Sequence, residues 1–226
     1  MAQFSRLAVY HQVLTDGMIP LFYHADPDIA FKVTGALYAG GCRLLEFTNR
    51  GDFAIDVFSK LIRAAAVEFP DLIIGAGTVS DAPTAALYLA YGANYVVSPT
   101  FNPEVARLCN SRKIAYMPGC STLTEIATAE EYGAEIIKLF PGKTSGGPDF
   151  VKAVRAPRPW TSIMPTGGVS SDESNLREWF EAGVVCVGMG SNLVRSDYLK
   201  AQNYAGITET VKQAFAVIHK VRSELG

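Results

Sequence analysis

The sequence predicts a closed (β/α)₈ TIM barrel with an N-terminal helix, and three observations predict it. Short apolar, β-rich runs recur eight times, starting about 20 to 29 residues apart, which is the repeat of one strand plus one helix. The runs are nearly continuous in hydrophobicity, as parallel strands covered by helices are. Helix starts and stops fall between them at the positions such a repeat requires.

The chain opens on MAQFSRLAVYHQVLTDG, where charged and apolar residues mix without a long apolar core. That pattern is a short amphipathic helix, not a signal peptide or a membrane span. Strands one and two are expected at 18–23 (MIPLFY) and 43–48 (RLLEFT). Asp26-Pro27 starts the helix between them and the AGG of 39–41 ends it. Strands three and four are expected at 72–78 (LIIGAGT) and 94–99 (NYVVSP), joined by a helix that Asp81-Ala82-Pro83 begins and the YGA of 91–93 ends. Asn102-Pro103 starts the helix before strand five at 114–119 (IAYMPG), and a second YGA at 132–134 precedes strand six at 135–141 (EIIKLFP). Strand seven is expected at 162–168 (SIMPTGG) and strand eight at 184–191 (VVCVGMGS), after the AGV of 182–184. No linker or low-complexity stretch divides the chain, so residues 1–226 are expected to form a single domain. A doubly wound open sheet would carry a GxGxxG turn after the first strand, where this chain runs LFYHADPD.

Composition narrows the function. With 49% apolar residues, 19% charged residues and a net charge of −2, the chain is neither disordered nor drawn electrostatically to nucleic acid or an anionic membrane. The four cysteines form no CxxC pair and the three histidines are scattered, so no metal centre is expected. Free buried thiols in a reducing cytoplasm are the expectation.

In such a barrel the chemistry collects where the strands end. Alternation along RLLEFTNRG puts Glu46, Thr48 and Arg50 on one face, and along EIIKLFP it puts Ile136, Lys138 and Phe140 on one face. Glu46 and Lys138 are then both directed into the barrel. A lysine in apolar company is either a structural partner of the glutamate or an amine nucleophile for Schiff-base chemistry with a ketone. The residues alone leave both readings open. Thr78, Ser98, Ser121 and Thr122 bring hydroxyls to the same rim. Gly167-Gly168 and Gly188-Met189-Gly190-Ser191 end strands seven and eight, the usual phosphate position in this architecture. Tyr23 and His24 end strand one. Lys143, Lys152, Arg155 and Arg158 are expected to be solvated, and Trp160 and Trp179 to pack against the core.

In this order, LLEFTNRG, GAGTV, VVSP, MPGCST, IIKLFPG, PTGGV and GMGSNL resemble the class I aldolases acting on 2-keto-3-deoxy-6-phosphogluconate and 4-hydroxy-2-oxoglutarate. The resemblance covers nearly the whole chain, and IKLFP with LEFTNR is its specific part. It implies that Lys138 is the Schiff-base lysine and Glu46 the acid/base. It implies that Arg50 and Thr78 hold a pyruvate-type carboxylate, that Pro99 and Phe140 wall the imine, and that Thr166 touches the substrate chain. Gly167, Gly168, Gly190 and Ser191 match the phosphate cradle. The resemblance further implies a small keto-acid substrate, no metal or cofactor, and a homotrimer. This chain departs from the pattern at Tyr23-His24, where several relatives carry arginine, at Asn49, where many have leucine, and at Thr100, where many have glycine. Two other readings are a phosphogalactonate-type aldolase of the same family and an isomerase barrel sharing TGGV and GMGS. A third, a non-catalytic sugar-phosphate-binding barrel, would be expected to have lost Lys138 or Glu46.

Overall fold

The computed structural model describes residues 2–226. The chain runs α1 (Arg6–Asp16), β1 (Met18–Phe22), α2 (Pro27–Ala39), β2 (Leu44–Thr48), α3 (Ala54–Glu68), β3 (Ile73–Gly77), α4 (Ala82–Ala90) and β4 (Tyr95–Val97). It continues through α5 (Pro103–Arg112), β5 (Ala115–Met117), β6 (Gly119–Cys120), α6 (Leu123–Glu131), β7 (Ile137–Leu139) and α7 (Gly147–Arg155). It finishes with β8 (Ile163–Pro165), α8 (Glu173–Glu181), β9 (Val187–Met189), α9 (Ser196–Lys200) and α10 (Tyr204–Leu225).

The helix starts are made by the expected residues. Asp26 accepts from the N–H groups of Asp28 and Ile29, Asp81 from that of Thr84, and Asn102 from those of Glu104 and Val105. α1 forms where the amphipathic opening predicts it, begun by the Ser5 side chain and ended by Gly17 in the left-handed region.

All strand pairs are parallel, in the orders β5-β4-β3-β2-β1-β9 and β6-β7-β8. The two sheets are one curled wall. Strand five, expected to be continuous over 114–119, is divided at Pro118, which has no N–H to give a ladder. Its carbonyl still accepts from Lys138 N at 2.9 Å. At the other junction Val185 N donates to Ile163 O at 3.0 Å, and Thr166 bridges Gly188.

Two apolar cores follow from the period-two pattern. Leu45, Phe47, Ile137 and Leu139 face the helices. Ile19, Leu44, Ile73, Tyr95, Val97, Met117, Ile136 and Met164 face inward, and Val9, Tyr10 and Val13 of α1 pack with them. α1 therefore closes the floor of the barrel and leaves the strand C-termini as its open end. Trp179 is buried as expected, but Trp160 is 67% exposed, on a turn before β8, with Arg158 stacked over its ring. Arg158 is not free in solvent: it pairs with Glu130, and Arg155 donates to Thr161 O at 2.6 Å. All four cysteines are buried free thiols. None of the described helices is long and apolar enough to cross a membrane.

Candidate active site

One step above the apolar floor, β2 and β7 each direct a charged side chain inward. Glu46 is 1% exposed and Lys138 3%, and Lys138 Nζ lies 3.7 Å from Glu46 Oε1. That separation keeps the charges in Coulombic contact but is too long for a hydrogen bond. Neither Glu46 oxygen has a hydrogen-bond partner among the described residues. A pair that only stabilised the barrel would close its hydrogen bonds, because desolvation of each ion otherwise costs several kcal/mol. Gly77 of β3 makes room for the pair: a Cβ on residue 77 would stand 1.9 Å from Glu46 Oε1.

The other expected residues are arranged around this pair. The Phe140 ring centroid is 5.2 Å from Lys138 Nζ, so the ring walls the amine. Pro99 is half-buried, with its carbonyl packed on Gly119, the β6 partner of Lys138. Thr166 is 6% exposed with an unpartnered hydroxyl, fitted over Gly188, where a Cβ would lie 2.2 Å from its Oγ1. Arg50 reaches the site differently from its expected place on the strand. β2 ends at Thr48, Arg50 N turns back onto Thr48 O at 3.0 Å, and the guanidinium stands exposed at the rim. Its Nε donates to Thr78 Oγ1 at 3.4 Å, and Thr78 holds a left-handed backbone (φ 58°). Thr48 itself faces inward but donates to Phe22 O at 3.3 Å.

Beside the pair opens a cleft of about 300 Å³ lined by Tyr23, Arg50, Phe140, Thr166, Gly167, Gly168, Gly190 and Ser191 among others. Gly167 and Gly168 both take positive φ, 90° and 79°, a backbone open only to glycine without strain. A larger hollow of about 1070 Å³ lies at the opposite end of the barrel, between the residues before α1 and the Arg6–Glu135 ion pair. It is distant from every group that points to chemistry.

Several expected rim groups do other work. Thr122 caps α6, and the N–H groups of both Ser121 and Thr122 donate to Glu125. Ser98 is buried on the helix-facing side, in register after Val96 and before the loop, beside Tyr116. Asn49 accepts from Tyr88 Oη at 3.0 Å, on the helix side of the sheet, and His24 Nδ1 accepts from Asp26 N at 3.0 Å. Of the departures from the family pattern, Tyr23 alone lines the cleft.

Tyr95, which the motifs passed over, lies within the barrel against Gly75. Burial first, and the Glu46 charge second, push its phenol well above the ordinary tyrosine range, so it faces the site as an O–H. Inward alternation of Tyr95 with Val97 was the signal for it.

The fold and site define a parallel α/β barrel with a buried lysine–glutamate pair at the open end of its strands. The KDPG and KHG aldolase family model matches residues 10–210. The chain belongs to that family, and it is an enzyme, a lyase. It is 38% identical over 200 residues to the 2-dehydro-3-deoxy-phosphogluconate aldolase of Pseudoalteromonas atlantica, covering 88% of this chain and 90% of that protein. It is 34% identical over 204 residues to the KHG/KDPG aldolase of Escherichia coli K12, covering 89% and 92%. The KDPG aldolase of Legionella pneumophila, crystallised with pyruvate captured as a covalent carbinolamine intermediate, is similar in structure. Its TM-score is 0.79 at 29% identity, covering 90% of this chain and 96% of that one.

Proposed function

We propose that this protein is a Schiff-base aldolase that cleaves 2-keto-3-deoxy-6-phosphogluconate to pyruvate and glyceraldehyde 3-phosphate, and 4-hydroxy-2-oxoglutarate to pyruvate and glyoxylate. The observation that carries the reading is the buried Lys138–Glu46 pair, 3.7 Å apart with no hydrogen bond closing it.

In its reactive form the pair holds a neutral amine and a protonated carboxyl. The Lys138 amine attacks C2 of the keto acid, Glu46 gives its proton to the departing hydroxyl, and water leaves an iminium. Glu46, now a carboxylate, takes the proton of the C4 hydroxyl. The C3–C4 bond breaks, its electron pair passes into the iminium, and the aldehyde leaves behind an enamine. Glu46 returns the proton to C3, and water hydrolyses the iminium to pyruvate, restoring amine and carboxyl. Proton transfer at each step by one positioned group is worth about 10²–10⁴ in rate. Arg50, with Thr78 beside it, pairs the substrate carboxylate and so brings C2 to the amine. Phe140 and Pro99 exclude water from the imine, Thr166 contacts the substrate chain, and the N–H groups of Gly167, Gly168, Gly190 and Ser191 receive the distal phosphate. No cofactor or metal enters this scheme.

A single catalytic domain over residues 1–226, a homotrimer and a cytoplasmic location belong to the same proposal, the last supported by four free buried thiols. Pyruvate release, followed with lactate dehydrogenase, tests the reading. Release from both substrates is expected; release from neither refutes it, and release from one alone restricts the substrate.

A further inference from the structure

We infer that Lys143 is a specificity-determining residue, the cation that meets the distal phosphate in the cleft at the ends of β8 and β9. This rests on the phosphate position proposed above and adds a residue to it.

A phosphate bound there would otherwise lack a charged partner. Among the described residues, Arg50 is the only cationic side chain lining the cleft, and it is tied to Thr78 at the ends of β2 and β3. β1 stands between those strands and β9. The polar lining beside β8 and β9 is Gly167, Gly168, Gly190 and Ser191, together with Asn192, whose neutral amide gives one N–H to Val169 O at 2.6 Å. Backbone N–H groups place a phosphate well, but a dianion withdrawn from water is matched far better with a cation beside it.

Lys143 is held next to that lining by its backbone. Gly142 N donates to Thr166 O at 2.8 Å and Lys143 N donates to Gly167 O at 3.0 Å, so the loop after β7 is stitched along the loop after β8. The stem of the side chain then lies on Gly168. A Cβ on residue 168 would stand 2.3 Å from Lys143 Cβ and 3.2 Å from its Cγ and Cδ. The glycine that bounds the cleft is therefore also the glycine that the lysine crosses. Lys143 is exposed, and among the described residues no carboxylate lies within salt-bridge distance of its ammonium. With its ammonium at the end of a stem laid on Gly168, Lys143 reaches over the cleft when an anion occupies it, as a point charge that needs no fixed geometry.

The test compares wild type with Lys143→Gln, Lys143→Ala and Lys143→Arg. Inorganic phosphate is titrated first, by phosphorus NMR of the ion or by calorimetry. In parallel, the ratio of kcat/KM for the phosphorylated substrate to that for 4-hydroxy-2-oxoglutarate is measured. Gln and Ala are expected to weaken phosphate binding about 10-fold or more and to lower the ratio by a similar factor, with Arg restoring most of both. Equal phosphate affinity in wild type and Gln, a wild type that binds no phosphate, or an unchanged ratio would overturn the assignment. A protein that cleaves neither substrate would fail the aldolase reading, while the phosphate titration would still decide the role of Lys143.

Discussion

Gly77 of β3 lies directly against the Glu46 carboxylate of β2, so close that a Cβ on residue 77 would stand 1.9 Å from Oε1 and 2.5 Å from the carboxyl carbon. The glutamate's inward pose exists because the neighbouring strand has no side chain there. Gly77→Ala is expected to turn Glu46 away from Lys138 and cut kcat by roughly 10² or more, the scale of one general acid/base. Near-wild-type turnover with an unchanged circular dichroism spectrum would separate Glu46 from catalysis.

The separation of Glu46 and Lys138 makes a prediction about stability. Glu46→Gln and Lys138→Met each remove one member of a buried pair and leave the other uncompensated. The double variant removes both, so its loss of stability in urea is expected to be smaller than the sum of the two single losses. A coupling on the order of 1–3 kcal/mol is expected from the cycle. Additive effects would mean that the two charges do not sense each other in the folded state.

Arg50 stands at the rim, beside Thr78 and beyond the end of β2. Its planar fork suits a carboxylate in a way that a lysine ammonium does not. Arg50→Lys is expected to lower kcat/KM by about 10- to 100-fold for either keto acid, the scale of a charged hydrogen bond. It should leave thermal stability unchanged, because the side chain is exposed. An unaltered kcat/KM would move the carboxylate site elsewhere.

A pH dependence of stability comes from α6. Glu125 Oε2 accepts from Ser121 N at 2.8 Å and Thr122 N at 2.9 Å, and these bonds, that of Ser121 foremost, hold its carboxyl below the ordinary glutamate value of 4.5. A carboxyl lowered by folding stabilises the fold in its ionised form. That contribution is complete above pH 4.5 and is lost as pH falls through the lower folded value. Glu125→Gln is expected to be less stable than wild type by about 0.5 kcal/mol at neutral pH, with the gap closing in acid. A gap that stays constant down to pH 3 would contradict it.

The sequence made legible what depends on strand period and helix punctuation. Glu46 and Lys138 point inward because Leu45, Phe47, Ile137 and Leu139 must face the helices, and one residue of slip would bury the wrong set. Asp26, Asp81 and Asn102 cap helices for reasons carried by their own side chains. Beyond the strand ends that logic stops. Arg50 was placed by an alternation that ends two residues earlier, and it reaches the rim through a turn. Ser121 and Thr122 look like site hydroxyls until Glu125, a turn later, binds both and makes Thr122 the cap of α6. Trp160 and Arg158 stack on an exposed turn because Glu130 draws the arginine, a contact between residues far apart in the chain. The importance of Gly77 and Gly168 lies in which side chains cross them, and no local pattern records that.

If Lys138 is the nucleophile, a keto acid can be trapped on it by reduction of the imine. The protein is incubated with pyruvate and borohydride, digested, and mapped by mass spectrometry. A reduced pyruvate adduct is expected on Lys138 in the wild type and, more slowly formed, in Glu46→Gln, with none in Lys138→Ala. No adduct in the wild type, or an equal adduct that persists in Lys138→Ala, would contradict it.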